Sequence, residues 1–120
     1  MGGAYEQLAG IIKALGHPAR LHILDVLSRG EACVCHLTTI LQRRQPYVSQ
    51  QLMILRKAGL VRVRRDGPVV YYRLADEHVV RFLEDGRDLL RARGEAGAFP
   101  EIPAPPVEGC PCPKCAQGRP

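Results

Sequence analysis

Five cysteines in a chain of 120 residues fall in two short motifs, Cys33-Val34-Cys35 and Cys110-Pro111-Cys112-Pro113-Lys114-Cys115. Thiolates at such spacing are the donors that soft and borderline metal ions select. Neighbouring thiols can also close into a disulfide or polysulfide. Five is an odd number, and no basic segment runs into an apolar stretch at the start, so the expectation is thiolate chemistry in a cytoplasmic protein. A free cysteine can also pack as a small hydrophobe, and tail cysteines can be inert, but the clustering favours a ligand role.

The second concentration of chemistry is cationic. Between residues 43 and 73 lie Arg43, Arg44, Arg56, Lys57, Arg62, Arg64, Arg65 and Arg73 against a single acid, Asp66, in a chain of formal charge +5. Of these, Arg56, Arg62, Arg64 and Arg65 are expected to neutralise DNA phosphates, which fixes position without reading sequence. Gln45, Tyr47, Ser49 and Gln50 carry groups that hydrogen-bond base edges or phosphates. An isolated run of arginines is more often a solvated face. Its meaning depends on the elements that carry it.

A chain this long buries one core without disulfides. With 46% hydrophobic and 24% charged residues it is neither disordered nor fibrous, and its apolar runs are far shorter than the roughly 20 residues a membrane span needs. Helical spacing marks a first helix over 5–15 (Leu8, Ile11, Ile12, Leu15), ended by Gly16. Pro18 opens a second, with Leu21, Leu24 and Leu27 on its inner face and Arg20, His22 and Arg29 outside. A short third helix buries Val34, Leu37, Ile40 and Leu41 and stops near Arg43-Arg44. Pro46 starts a fourth, with Val48, Leu52 and Leu55 inward, that ends at Gly59. The period then shortens to two, and Asp66-Gly67 marks the turn of a hairpin that Pro68 relegates to an edge or free-standing ribbon. Asp76 caps a last helix running to about Arg93. Seven of ten prolines lie at or after Pro100, where little is available to pack a core. The expected organisation is a domain over 5–93 and an extended Pro-rich, cysteine-bearing tail over 94–120. Two short helices followed at once by a basic hairpin make a winged helix-turn-helix, mainly α with a small β-hairpin (α+β).

The segments Leu15-Gly16-His17-Pro18-Ala19-Arg20-Leu21, Cys33-Val34-Cys35-His36-Leu37, Val48-Ser49-Gln50-Gln51-Leu52, Leu55-Arg56-Lys57-Ala58-Gly59-Leu60-Val61 and Val70-Tyr71-Tyr72-Arg73-Leu74 resemble, in order, the ArsR/SmtB family of metal-responsive repressors. The similarity covers about residues 5–92. It implies a homodimer built through the first and last helices, a near-palindromic double-stranded operator, and release of DNA when inducer binds. Matching positions place Gln45, Ser49 and Gln50 among the DNA-contacting residues, while Pro46 and Tyr47 stand where the family has a small Ser or Thr.

By the same resemblance, Cys33-Val34-Cys35 is similar to the family's third-helix motif for arsenite, cadmium, lead or zinc. Residues two apart on a regular helix point about 200° apart, so both sulfurs reach one ion only at a non-helical helix start. Thr38 stands where arsenite-sensing members have a third cysteine, and Cys110, Cys112 and Cys115 offer the missing sulfurs. Four thiolates suit zinc or cadmium; a three-sulfur pyramid suits arsenite or lead. The family's last-helix site is matched by Asp76 and His78 but not by Leu89 and Ala92, which leaves Asp76 as a helix cap. His36 neighbours the thiols and is a candidate nitrogen ligand, yet reads more readily as a surface histidine, and His17 and His22 as structural or exposed. The alternatives are a redox- or polysulfide-sensing repressor of the same fold and a thiol metal-buffering protein. No phosphate-cradling loop, HExxH or nucleophile elbow is present, so the chain is not read as an enzyme.

Overall fold

The computed structural model describes residues 3–94, 97 and 99–103. Cys110, Cys112 and Cys115 lie outside the described residues. The elements run α1 (Ala4–Leu15), α2 (Pro18–Leu27), β1 (Ala32–Cys33), α3 (Val34–Leu41), α4 (Gln45–Lys57), β2 (Val61–Asp66), β3 (Val69–Leu74) and α5 (Glu77–Ala92). Among the described residues there are five helices and a small three-stranded antiparallel sheet of order β1-β3-β2. No helix among the described residues is long and apolar enough to cross a membrane.

Local sequence sets most boundaries. His17 caps α2 by accepting the Ala19 N–H on Nδ1 at 3.2 Å, with Pro18 in the first turn. Gln42 ends α3 in the left-handed region at φ 54, and two further residues lead into α4. At the far end of α4 the N–H groups of Gly59 and Leu60 reach back to the carbonyls of Arg56 and Leu55, each at 3.0 Å. This is a Schellman closure, and Gly59 supplies the positive φ of 76 that it requires. The buried side chains of Leu55 and Leu60 flank it and turn the chain into β2.

The core joins α2, α3 and α4 through Ile23, Leu24, Leu37, Val48, Leu52 and Leu55, all less than 2% exposed. Burying a side chain of this size contributes about 1.5–3 kcal/mol, so these contacts rather than the turn fix α4 against α3. Arg20, expected on the outer face of α2, instead reaches across it. Its guanidinium donates to the Ala14 carbonyl and, at 2.9 Å, to Oε1 of the buried Gln51 on α4. Leu21, expected inside, is 42% exposed.

The hairpin is not free-standing. Ala32 and Cys33 pair with Tyr72 and Tyr71, which makes β3 the central strand and leaves β2 at the edge. Pro68 does not interrupt the ladder, because it occupies the turn beside Gly67, whose φ of 60 suits a two-residue type II′ connection. Directly paired residues share a face. One face therefore carries Ala32, Val61, Val63, Tyr72 and Leu74, of which Ala32, Val61, Tyr72 and Leu74 meet the main core. The other carries Cys33, Tyr71, Arg62, Arg64 and Arg73.

Two described residues beyond α5 pack against the domain. Phe99 lies under the Arg87 guanidinium at 5.0 Å, and Ile102 is packed against the core. Arg87 in turn pairs with the buried Asp25 of α2.

Candidate nucleic-acid interface and thiol site

Helix α4 presents Gln45 and Gln50 to solvent, with Ser49 half-buried beside them. Tyr47 behaves differently. Its ring packs partly against the core, stands 6.5 Å from that of His17, and supports the Arg43 guanidinium 3.9 Å above its centre. Arg43 thus leaves the helix-turn-helix connection in a preferred direction, a role that its place in a run of charges does not reveal. Arg56 is exposed near the other end of α4.

On the hairpin, Arg62 and Arg73 are direct cross-strand partners. Like charges so placed repel each other, and among the described residues neither has an acidic partner. Arg65, also exposed, lies on the opposite face. Arg64 is already engaged: Nε donates to Glu31 Oε2 at 3.0 Å, Nη2 donates to Glu31 Oε1, and the guanidinium lies 4.8 Å from the Tyr71 ring centre. The hydrogen bond to Glu31 is the main cause that raises the Arg64 pKa above its ordinary value, with the Glu31, Asp66 and Tyr71 charges adding to it against the desolvation of the site. Nothing local in the sequence signals this pair, whose members are 33 residues apart.

The two core thiols lie against the same hairpin, beside its central strand β3. Cys33, 5% exposed, has extended backbone (φ −84, ψ 169) and is the N-cap of α3, its Sγ accepting the His36 N–H at 3.4 Å. Cys35 lies one step inside the helix and is half-buried. The non-helical start that two sulfurs at this spacing require is therefore present. Cys33, Tyr71, Cys35, Ile40 and Val69 form a small cluster beside the main core, with Ile40 packed against both. The Cys35 carbonyl accepts from Thr38 Oγ1 at 2.8 Å and Thr39 Oγ1 at 2.9 Å, so Thr38 tightens the first turn of α3. His36 is not on the surface; it is 3% exposed, in the first turn of α3 that Cys33 caps. Among the described residues no group of three His, Cys, Asp or Glu side chains is placed to hold a metal ion. Two thiols are a fitting but incomplete donor set for a thiophilic ion.

At α5, Asp76 caps the helix by accepting the His78 N–H at 2.8 Å, as its position suggests. Leu8, Ile12, Phe82 and Leu89 of α1 and α5 are each more than 40% exposed.

The model of the bacterial regulatory protein, arsR family, matches residues 17–63. The chain is 42% identical over 86 residues to a transcriptional repressor SmtB homolog of Synechocystis sp., an alignment covering 72% of this chain and 65% of that protein. It is 40% identical over 74 residues to the arsenical resistance operon repressor of Staphylococcus xylosus, covering 62% of this chain and 71% of the other. Among solved structures it is similar to a homodimeric winged helix-turn-helix DNA-binding domain from Mycobacterium bovis, with a TM-score of 0.71 and 31% identity over 84% of this chain and 100% of that one. This is a family and a fold of DNA-binding regulators rather than of enzymes. On its motifs, its fold and these likenesses, the chain belongs to the ArsR/SmtB family of winged helix-turn-helix transcriptional repressors.

Proposed function

We propose that this chain is a cytoplasmic homodimeric repressor that holds operator DNA in its thiol form and releases it when a thiophilic ion is bound. The ion, arsenite, cadmium, lead or zinc, is taken by Cys33 and Cys35 together with sulfurs from Cys110, Cys112 and Cys115. Gln45, Ser49 and Gln50 face the groove, with Tyr47 supporting the Arg43 guanidinium beside them, and Arg56, Arg62 and Arg65 belong to the basic surface that meets the backbone, where Arg64 is held by Glu31.

One observation carries this reading. Cys33 is at once the N-cap of α3, which packs on α4, and the last residue of β1, which is hydrogen-bonded to the central strand of the wing. An ion that pulls Cys33 and Cys35 together disturbs both DNA-binding elements from a single point. Such an effector acts only through unequal affinity for the DNA-competent and released states. The exposed apolar residues of α1 and α5 support the dimer, and the SmtB- and arsenical-resistance names of the relatives support an ion as the signal.

Fluorescence anisotropy of reduced protein on a labelled duplex from its own promoter region tests the reading. Sequence-selective binding should weaken steeply with salt and be reversed by at least one of the four ions. Binding without selectivity would favour a metal buffer. Release by polysulfide but by none of the ions would favour redox sensing.

A further inference from the structure

Four arginines lie on the wing hairpin, and one is set apart. Arg62, Arg65 and Arg73 have no acidic partner among the described residues, whereas the Nε–Nη2 edge of Arg64 is filled by both oxygens of Glu31. That edge is the fork with which an arginine takes a phosphate in two parallel hydrogen bonds. Tyr71 lies against the guanidinium at 4.8 Å, and Asp66 Oδ2 is 3.9 Å from Nη1. A DNA phosphate must therefore displace a carboxylate to use Arg64 fully.

Glu31 is also held in place. It directly precedes β1, whose Ala32 and Cys33 are paired with Tyr72 and Tyr71 of the strand next to Arg64. The carboxylate is delivered by backbone pairing rather than by a mobile loop.

We propose that Glu31 is a positioning residue for DNA binding: its carboxylate occupies the fork of Arg64 and withholds that guanidinium from the DNA backbone. The phosphate-binding charge of the wing then comes from Arg62, Arg65 and Arg73. The proposal rests on the DNA-binding reading and deepens it, because Glu31 is two residues from Cys33, and Tyr71 both opposes Cys33 and lies beneath Arg64. A shift of β1 at the thiols alters how firmly Arg64 is held.

The test is the salt dependence of binding to a random-sequence duplex, which reports phosphate contacts without knowledge of the operator. Full-length wild type, Glu31→Gln, Arg64→Ala and the double variant are compared, with circular dichroism confirming the fold of each. Glu31→Gln should bind several-fold more tightly at low salt, with a log–log slope steeper by about 0.9, the release expected for one added phosphate contact. Arg64→Ala should keep the wild-type slope, and the double variant should match Arg64→Ala. A Glu31→Gln chain that binds no better than wild type overturns the proposal. So does a gain that persists without Arg64, which would be a general charge effect. Failure of wild type and Glu31→Gln alike to bind any duplex would overturn the DNA-binding reading and the proposal together.

Discussion

Cys33 and Tyr71 face each other across the β1–β3 ladder, one capping the first helix of the helix-turn-helix and the other supporting an arginine of the wing. A chemical event at the Cys33 sulfur therefore has two short routes to DNA. One runs along α3 into the core shared with α4. The other crosses one strand pairing into the hairpin. Packed cores respond to such events by switching between discrete arrangements rather than by bending continuously, which is how a small displacement becomes a change in affinity.

Replacing Cys33 and Cys35 by Ser should separate response from grip. Serine is a preferred N-cap, so α3 keeps its capping interaction where alanine would lose about 1 kcal/mol. The double variant should bind operator within a few-fold of wild type and ignore every ion. Loss of DNA binding in the absence of ions would show that the thiols are structural.

Leu89 is 57% exposed and Phe82 44% on the face of α5 that the dimer is proposed to bury. Leu89→Asp should give a folded monomer in sedimentation and lose most operator affinity, since one half-site remains per molecule. A dimer that survives this change would place the interface elsewhere.

Arg20 ties the end of α1 to α4 through Gln51. Arg20→Ala leaves the buried Gln51 amide without that donor and should cost about 1–3 kcal/mol in urea unfolding. Lysine should not restore it, because it lacks the planar fork that serves two acceptors.

Tyr47 is a platform for Arg43. Tyr47→Phe keeps the ring and should bind operator nearly as wild type does. Tyr47→Leu removes the cation–π contact, worth about 0.5–1 kcal/mol at an exposed site, and should weaken DNA binding by a few-fold. The same change in an Arg43→Ala background should do little. A large loss in Tyr47→Phe would instead assign the hydroxyl a direct contact with DNA.

The helices are legible because their signals are local: Pro18, the cap at Asp76, Gly59 and the spacing of Leu52 and Leu55. Strand β1 is not, since two residues have no period and exist as a strand only through Tyr71 and Tyr72. Arg20 was misplaced because its charge suggests solvent, whereas its long stem lets the guanidinium reach carbonyl and amide oxygens across α2. His36 reads as exposed for the same kind of reason, yet the structure buries it on α3, one residue before the core residue Leu37. Of the site, the Cys33-Val34-Cys35 pair and the arginines could be read directly. The Glu31–Arg64 pair could not, because only the sheet brings the two residues together.

The central claim, that ion binding at the thiols and a grip on DNA oppose each other, is a statement of linkage and has a direct measurement. Cadmium affinity of the reduced chain is determined by sulfur-to-metal absorption, free and saturated with operator. The factor by which operator weakens cadmium binding should equal the factor by which cadmium weakens operator binding, a coupling of about 1–3 kcal/mol in systems of this kind. Equal affinity with and without operator for each of cadmium, zinc, lead and arsenite would contradict the account.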